Sequence, residues 1–366
     1  CDSHLRATSG AEALAHYSDV QGATVTRFVV AAGRIGSDEL DAEGLARWVN
    51  GDDPLTGDRR GRELSSPDAD LLLDGTINAP KSYSLASLLN DDLATEFEAL
   101  QDRLRERILV LWQIELNARR GAGGKVRQDV ARIEVVELQH RRSRALDPHI
   151  HRHMWLNVKV LGTDGRWSNV DSRVAMKLHT VVNAEGELAA RTDPAWVAAL
   201  ARNGFTIGAD GEIEQLREAV RPLSRRSNQI EANRAMFLAE WEQEHPGQEP
   251  DRDVLNMIDR RAWAQGRPNK PGHVDEDDWE ERTRDELRAI NPALLDARAA
   301  AAVPSVSIGN VDRDLLAAQA LVEADARAAS TGGRFSMFDI RACATRAVAR
   351  AGVVADRSAL DELIGD

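Results

Sequence analysis

The chain has 366 residues, of which 42% are hydrophobic and 29% charged, proportions of a folded globular protein and not of a disordered one. Only two cysteines occur, Cys1 and Cys343, which excludes a disulfide framework and a cysteine-built zinc site. No apolar run approaches the roughly 18 residues of a membrane span, so no membrane insertion and a cytoplasmic location are expected. The net charge of −13 argues against a polyanionic partner, yet residues 101–160 hold 13 Lys/Arg against 7 Asp/Glu, a net of +6 that leaves −19 elsewhere. Screening confines such attraction to about 10 Å, so a local basic groove is compatible with an acidic protein.

In chain order, Ser9 and Glu12 form a capping-box pattern that opens a short helix ending near Tyr17. "VTRFVVAAG" (25–33) reads as a strand and "SDELDAEGLARWVNG" (37–51) as helical. "DADLLLDGTINAPKSYSL" (68–85) passes from an apolar run into a proline-punctuated segment. A long amphipathic helix follows through residues 92–119, with apolar residues at helical spacing. "GAGG" (121–124) is a turn and "DVARIEVVELQH" (129–140) a strand. After an Asp-Pro loop, "HIHRHMWLNVKVLG" (149–162) is the next strand, closed by the Asp-Gly hairpin turn of "TDGRW" (163–167). From about residue 176 the pattern is mainly helical, interrupted at "GFTIGADGEIEQL" (204–216), with an Ala-rich boundary at 291–310 and a helical tail beyond. Helices mixed with antiparallel hairpins predict an α+β fold around a central antiparallel sheet.

Four of the nine histidines fall within residues 138–157. Residues two apart on a strand share a face, so His149, His151 and His153 project together. The eight-residue connection from His140 to His149 is short enough to make the two strands antiparallel neighbours, placing a third imidazole opposite the pair. Three converging imidazoles with an open side suit a catalytic metal, and imidazole prefers zinc or another transition metal to magnesium. A polar strand face without metal is the alternative reading.

These pieces resemble the HUH-type conjugative relaxases of the MobF class. The resemblance rests on His140, on the arginine-rich loop "RRSRALDP", on "HIHRH" in the manner of "DPxLHxH", and on "APKSYSL" in the manner of "APKSVSL". It covers roughly residues 9–292 and implies a permuted ferredoxin-like palm with mainly helical fingers or thumb. The implied metal ligands are His140, His151 and His153; His149-Ile150-His151 also fits the His-hydrophobic-His pair, which leaves two registers open. Asn157 lies one position closer to the histidines than the family's usual asparagine. The family works with Mg²⁺ or Mn²⁺, while Zn²⁺ or Ni²⁺ is expected to occupy such a site in vitro. The implied nucleophile is a tyrosine, and the chain has two. Tyr17 stands where family members carry theirs, whereas Tyr83 stands where they usually carry valine and is assigned a structural role. No second tyrosine follows Tyr17, as it does in many members. Asp74 matches the family's acidic residue, implied to accept the phenolic proton or to orient His140.

The implied activity is strand-specific nicking and rejoining at a plasmid transfer origin through a 5′-phosphotyrosine. Implied partners are single-stranded origin DNA with a hairpin, other relaxosome proteins and a coupling protein. Candidate DNA contacts are Lys81; Arg119, Arg120, Lys125 and Arg127 around the glycine turn; Arg141, Arg142 and Arg144 in the ligand loop; and Arg225 and Arg226 in "LSRRSNQIEA" (223–232). The expected division is a palm (1–235), helical fingers (236–292), a linker (293–310) and a helical tail (311–366). No G-x-x-x-x-G-K-[ST] phosphate loop occurs, since "GAGGKV" lacks the earlier Gly and the final Ser/Thr. The tail is therefore expected to be the start of a truncated helicase region. A replication-initiator nuclease of the same superfamily, a three-His zinc hydrolase and a non-catalytic DNA-binding module are the rival readings.

Overall fold

The computed structural model describes residues 24–64, 69–266, 274–303, 306–329 and 333–365. Its strands are β1 Val25–Ala31, β2 Arg34–Leu40, β3 Leu72–Ile77, β4 Asn117–Arg120, β5 Val126–Arg142, β6 Pro148–Asn157, β7 Lys159–Gly162 and β8 Trp167–Asn169. All pairings between them are antiparallel, in the order β2-β1-β5-β6-β3, with β4, β7 and β8 gathered around the first half of β5. Helices occupy most of the remainder, giving the expected α+β architecture.

Two elements differ from the sequence reading. The helix expected over 37–51 begins only at Ala42; residues 34–40 form a strand, because Ala32 and Gly33 both take positive φ (50° and 70°) in a two-residue hairpin turn that returns the chain along β1. The single strand expected over 149–162 breaks after Asn157. That side chain donates to the Trp48 carbonyl (2.7 Å) and accepts from Lys159 N (2.8 Å), which makes Asn157 a structural pivot.

Alternation divides the sheet into two faces. Phe28, Val30, Ile133, Val135, Met154 and Leu156 form a core with helices α3 (Asp91–Glu115) and α4 (Ser172–Thr192). Helix α2 (Lys81–Leu89) lies ahead of α3 in the chain, and α1 (Ala42–Val49) covers part of the opposite face, where Trp48 packs with Leu72, Val136 and Trp155. Trp155 therefore shares the face of the histidines but belongs to the core. Beside it the Glu134 carboxylate, fully buried, accepts from Arg27 Nη1 (3.1 Å), Arg60 Nη1 (2.7 Å) and Trp48 Nε1 (2.9 Å), and also pairs with Arg132. A buried charge is tolerated only with such multiple partners.

Beyond α4 come α5 (Pro194–Arg202), α6 (Arg217–Val220), α7 (Arg225–Glu244), α8 (Arg252–Ala264) and α9 (Glu276–Ile290). Helix α7 passes through residue 235 without a break. The tail helices α10 (Arg313–Ala329), α11 (Met337–Arg350) and α12 (Arg357–Gly365) do not stand apart. Val348, Leu360 and Leu363 share a core with Leu188 of α4, and Arg357 Nη2 donates to the buried Glu185 carboxylate (3.0 Å). No helix among the described residues is long and apolar enough to cross a membrane.

Candidate active site

The chemistry gathers where β5 and β6 meet the Ser143–Asp147 loop. His140 on β5 lies directly opposite His151 on β6, and His153 follows two positions on, on the same face. The three rings are equidistant, with centroids 5.2 Å apart in every pair and planes inclined by 68–70°. One potential ligand atom from each lies within 4.8 Å of the others, so the donor set fits a single small cation.

The outer ring nitrogens of two of these histidines are already committed. His151 Nδ1 donates to the His149 carbonyl (2.7 Å), and His153 Nδ1 donates to the Asp74 carboxylate, 3.0 Å from each oxygen. A donating Nδ1–H leaves the Nε2 lone pair for a metal, and such partners fix both tautomer and ring orientation. Burial pushes the His151 imidazole down to about 4 and that of His149 to about 3, which keeps both neutral at pH 7, as metal ligation requires. His149 stacks on His151 at 4.4 Å with planes 26° apart, so it braces one of the trio.

Asp74 reaches this site from β3, which pairs with the side of β6 away from β5. Of the two roles the resemblance implies, accepting the phenolic proton or orienting His140, the second falls on another ring: the Nδ1 that the carboxylate holds is that of His153. The "APKS" segment has a comparable supporting role as the start of α2. Lys81 Nζ donates to the Pro148 carbonyl (2.5 Å), and Ser84 Oγ accepts from Ile150 N (2.9 Å), which together anchor the beginning of the histidine strand. Lys81 is partly buried, and that burial lowers its pKa.

The two tyrosines separate sharply. Tyr83 is fully buried between Phe97 and Trp196, and its hydroxyl donates to the Ala190 carbonyl (3.0 Å). Burial raises its phenol pKa well above the ordinary value, so it is inert as a nucleophile. Tyr17 lies outside the described residues, as does the Ser9/Glu12 capping box.

The predicted basic residues fall into two groups. Arg119, Arg120, Lys125 and Arg127 sit around the glycine turn at the start of β5, 13 residues before His140 at the nearest. At about 3.3 Å per residue that is roughly 40 Å along the strand, so the structure does not bring them to the histidines. Arg120 is held by Asp164 through two bonds (2.8 and 2.7 Å) and Arg127 by Asp171 (3.0 Å); Lys125 is exposed. In the ligand loop, Arg141 Nη2 bonds Glu280 (2.6 Å), Arg142 pairs with Glu276, and Trp279 Nε1 donates to the Leu146 carbonyl (2.9 Å). The acidic helix α9 thus covers this basic loop. Arg144 lies in the same loop, partly buried. The buried Asp147 joins the loop to α7, accepting from Arg225 Nε (2.8 Å) and Arg226 N (3.1 Å). Asp147, Glu276, Trp279 and Glu280 are site neighbours that the sequence pattern does not reveal: the Asp-Pro loop reads as a turn, and the acidic stretch holding Glu276 and Glu280 reads only as charge.

The family model described as TrwC relaxase matches residues 6–290. Among solved structures, the conjugative relaxase TrwC in complex with OriT DNA is similar in its metal-bound form, with a TM-score of 0.58 at 19% identity over 79% of this chain and 97% of that one. Its metal-free form gives 0.57 at 20% identity over 78% and 97%. TrwC complexed with a 27-mer DNA comprising the recognition hairpin and the cleavage site gives 0.56 at 19% identity over 78% and 96%. No curated protein matches. At these identities the structures establish the fold alone, but the family model spans well over half of the sequence. The chain belongs to the TrwC relaxase family, MobF-class enzymes that nick and rejoin DNA.

Proposed function

We propose that this protein nicks one strand at a plasmid transfer origin by tyrosine transesterification and later rejoins it. The observation that carries the reading is the equidistant His140–His151–His153 trio with two outer nitrogens already engaged, in a chain whose only tyrosine besides Tyr17 is buried. In this reading the Tyr17 oxygen attacks the scissile phosphorus, the deoxyribose O3′ leaves, and the phenolic proton passes to Asp74 or to solvent. Attack by the 3′-hydroxyl on the phosphotyrosine reverses the step and releases the phenol. A phenol near pKa 10 is a weak nucleophile at pH 7, so a proton acceptor is needed. His140, His151 and His153 would hold a divalent ion, Mg²⁺ or Mn²⁺ in function with Zn²⁺ or Ni²⁺ also accommodated. When bound, that ion neutralises charge on the non-bridging phosphate oxygens.

The two basic groups suggest two DNA segments. Arg141, Arg142, Arg144, Arg225 and Arg226 lie beside the histidine site and suit the single strand at the nick. Arg119 on β4, Lys125 in the glycine turn and Arg127 at the start of β5 suit a second segment such as an origin hairpin, which the DNA bound by TrwC also contains. The palm, fingers and tail would then act as one clamp, with relaxosome proteins and a coupling protein docking elsewhere. The test is cleavage of a 5′-labelled oligonucleotide carrying the cognate origin with Mg²⁺. Tyr83→Phe should cleave as the wild type does and Tyr17→Phe should not; equal cleavage by Tyr17→Phe and wild type would reject the proposal.

A further inference from the structure

We propose that the exposed indole of Trp263 is a stacking platform for an unpaired nucleobase of the DNA strand that leaves the histidine site. The inference rests on the nucleic-acid reading above and adds a contact that the basic residues alone do not supply. Of the eight tryptophans, Trp263 is the one in the exposed class, at 57%, while the others are buried or partly buried. Burying an indole is strongly favourable, so leaving this ring in water, on a rigid support, is a cost that a ligand can offset.

The support is well built. The end of α8 is tied to the start of α7 by three side chains: Arg226 Nη2 donates to the Trp263 carbonyl (2.6 Å), Gln229 Nε2 to the Gly266 carbonyl (2.9 Å), and Asn233 Nδ2 to the Gln265 carbonyl (2.9 Å). The Trp263 carbonyl, in the last turn of α8, lacks a partner within the helix; Arg226 satisfies it, and the bonds to the Gln265 and Gly266 carbonyls hold the chain just beyond. The same Arg226 bonds through its backbone N–H to Asp147, two residues before His149, whose carbonyl holds His151. Stacking surface and metal site therefore hang on one continuous hydrogen-bonded frame.

Charge identifies the ligand class. The Arg226 guanidinium lies 6.0 Å from the indole centroid, and exposed Arg260 stands three residues before Trp263 on α8, whereas Arg261 is turned to the Phe237 ring and Glu240. An exposed aromatic face beside a guanidinium matches a base attached to a phosphate backbone. A sequence-independent platform of this kind accepts any base, because every base has a π-face.

The experiment is fluorescence anisotropy of 5′-fluorescein-labelled dT12 with the whole chain in EDTA, which needs neither cleavage nor a cognate sequence. Trp263→Ala should weaken binding by about 5- to 150-fold and Trp263→Phe by much less, with the slope of log Kd against log salt unchanged, because the indole carries no charge. Near-wild-type binding by Trp263→Ala, or equal weakening by both variants, would overturn the inference while leaving the nucleic-acid reading intact. Failure of the wild type to bind dT12 at low salt would overturn both.

Discussion

Asp74→Asn isolates the part of the site where the structure is most specific. Both carboxylate oxygens lie 3.0 Å from His153 Nδ1, and the side chain is almost wholly buried, so the substitution preserves shape while removing the charge. An asparagine can still accept one bond through its oxygen, but it no longer raises the basicity of the ring. Loss of such a supporting partner typically costs 10- to 100-fold in metal affinity, about 1.4–2.8 kcal/mol. Calorimetric titration with Mn²⁺ measures this directly. Nicking at saturating Mn²⁺ then separates the two roles proposed for the carboxylate. If Asp74 only orients His153, saturation restores the rate; if it also accepts the phenolic proton, the rate stays low. Unchanged Mn²⁺ affinity in Asp74→Asn would refute the reasoning.

Other consequences follow from particular contacts. Glu276→Gln with Glu280→Gln removes the carboxylates paired with Arg142 and Arg141. Binding of dT12 should then tighten at low salt and its salt slope steepen by up to about 1.4, at about 0.7 per released phosphate contact on single strands; an unchanged slope contradicts the view that α9 masks the loop. Glu134→Leu would leave the buried guanidinium groups of Arg27 and Arg60 without their shared carboxylate. A loss of about 3–5 kcal/mol in urea unfolding is expected, and a loss below about 1 kcal/mol would show that the network relaxes.

Much of the site was legible because its residues are close in sequence. The His140–His153 hairpin combines strict alternation with a short loop, and period-2 geometry alone brings the rings to one face. The long helix α3 was likewise readable from the spacing of Leu93, Phe97, Leu100 and Leu104. What could not be read depended on distant pairings. Strand β2 carries the edge sequence "RIGSDEL", mostly exposed and without an apolar alternation, so only its hairpin with β1 reveals it. The choice of His153 as the partner of Asp74 follows from the strand order β5-β6-β3, which no local pattern encodes. Neutralisation of Arg141 and Arg142 comes from residues more than 130 positions away. Glu276 and Glu280 lie in an acidic stretch of the sequence, but nothing local in that stretch places it over the basic loop.

The most direct test of the account is intact and peptide mass spectrometry of the protein after incubation with an oligonucleotide carrying its transfer origin and Mg²⁺. The account predicts a mass gain equal to the DNA segment 3′ of the nick, mapped to the peptide containing Tyr17 and abolished in Tyr17→Phe. An adduct that survives Tyr17→Phe, or cleavage with no covalent adduct on the wild type, would contradict it.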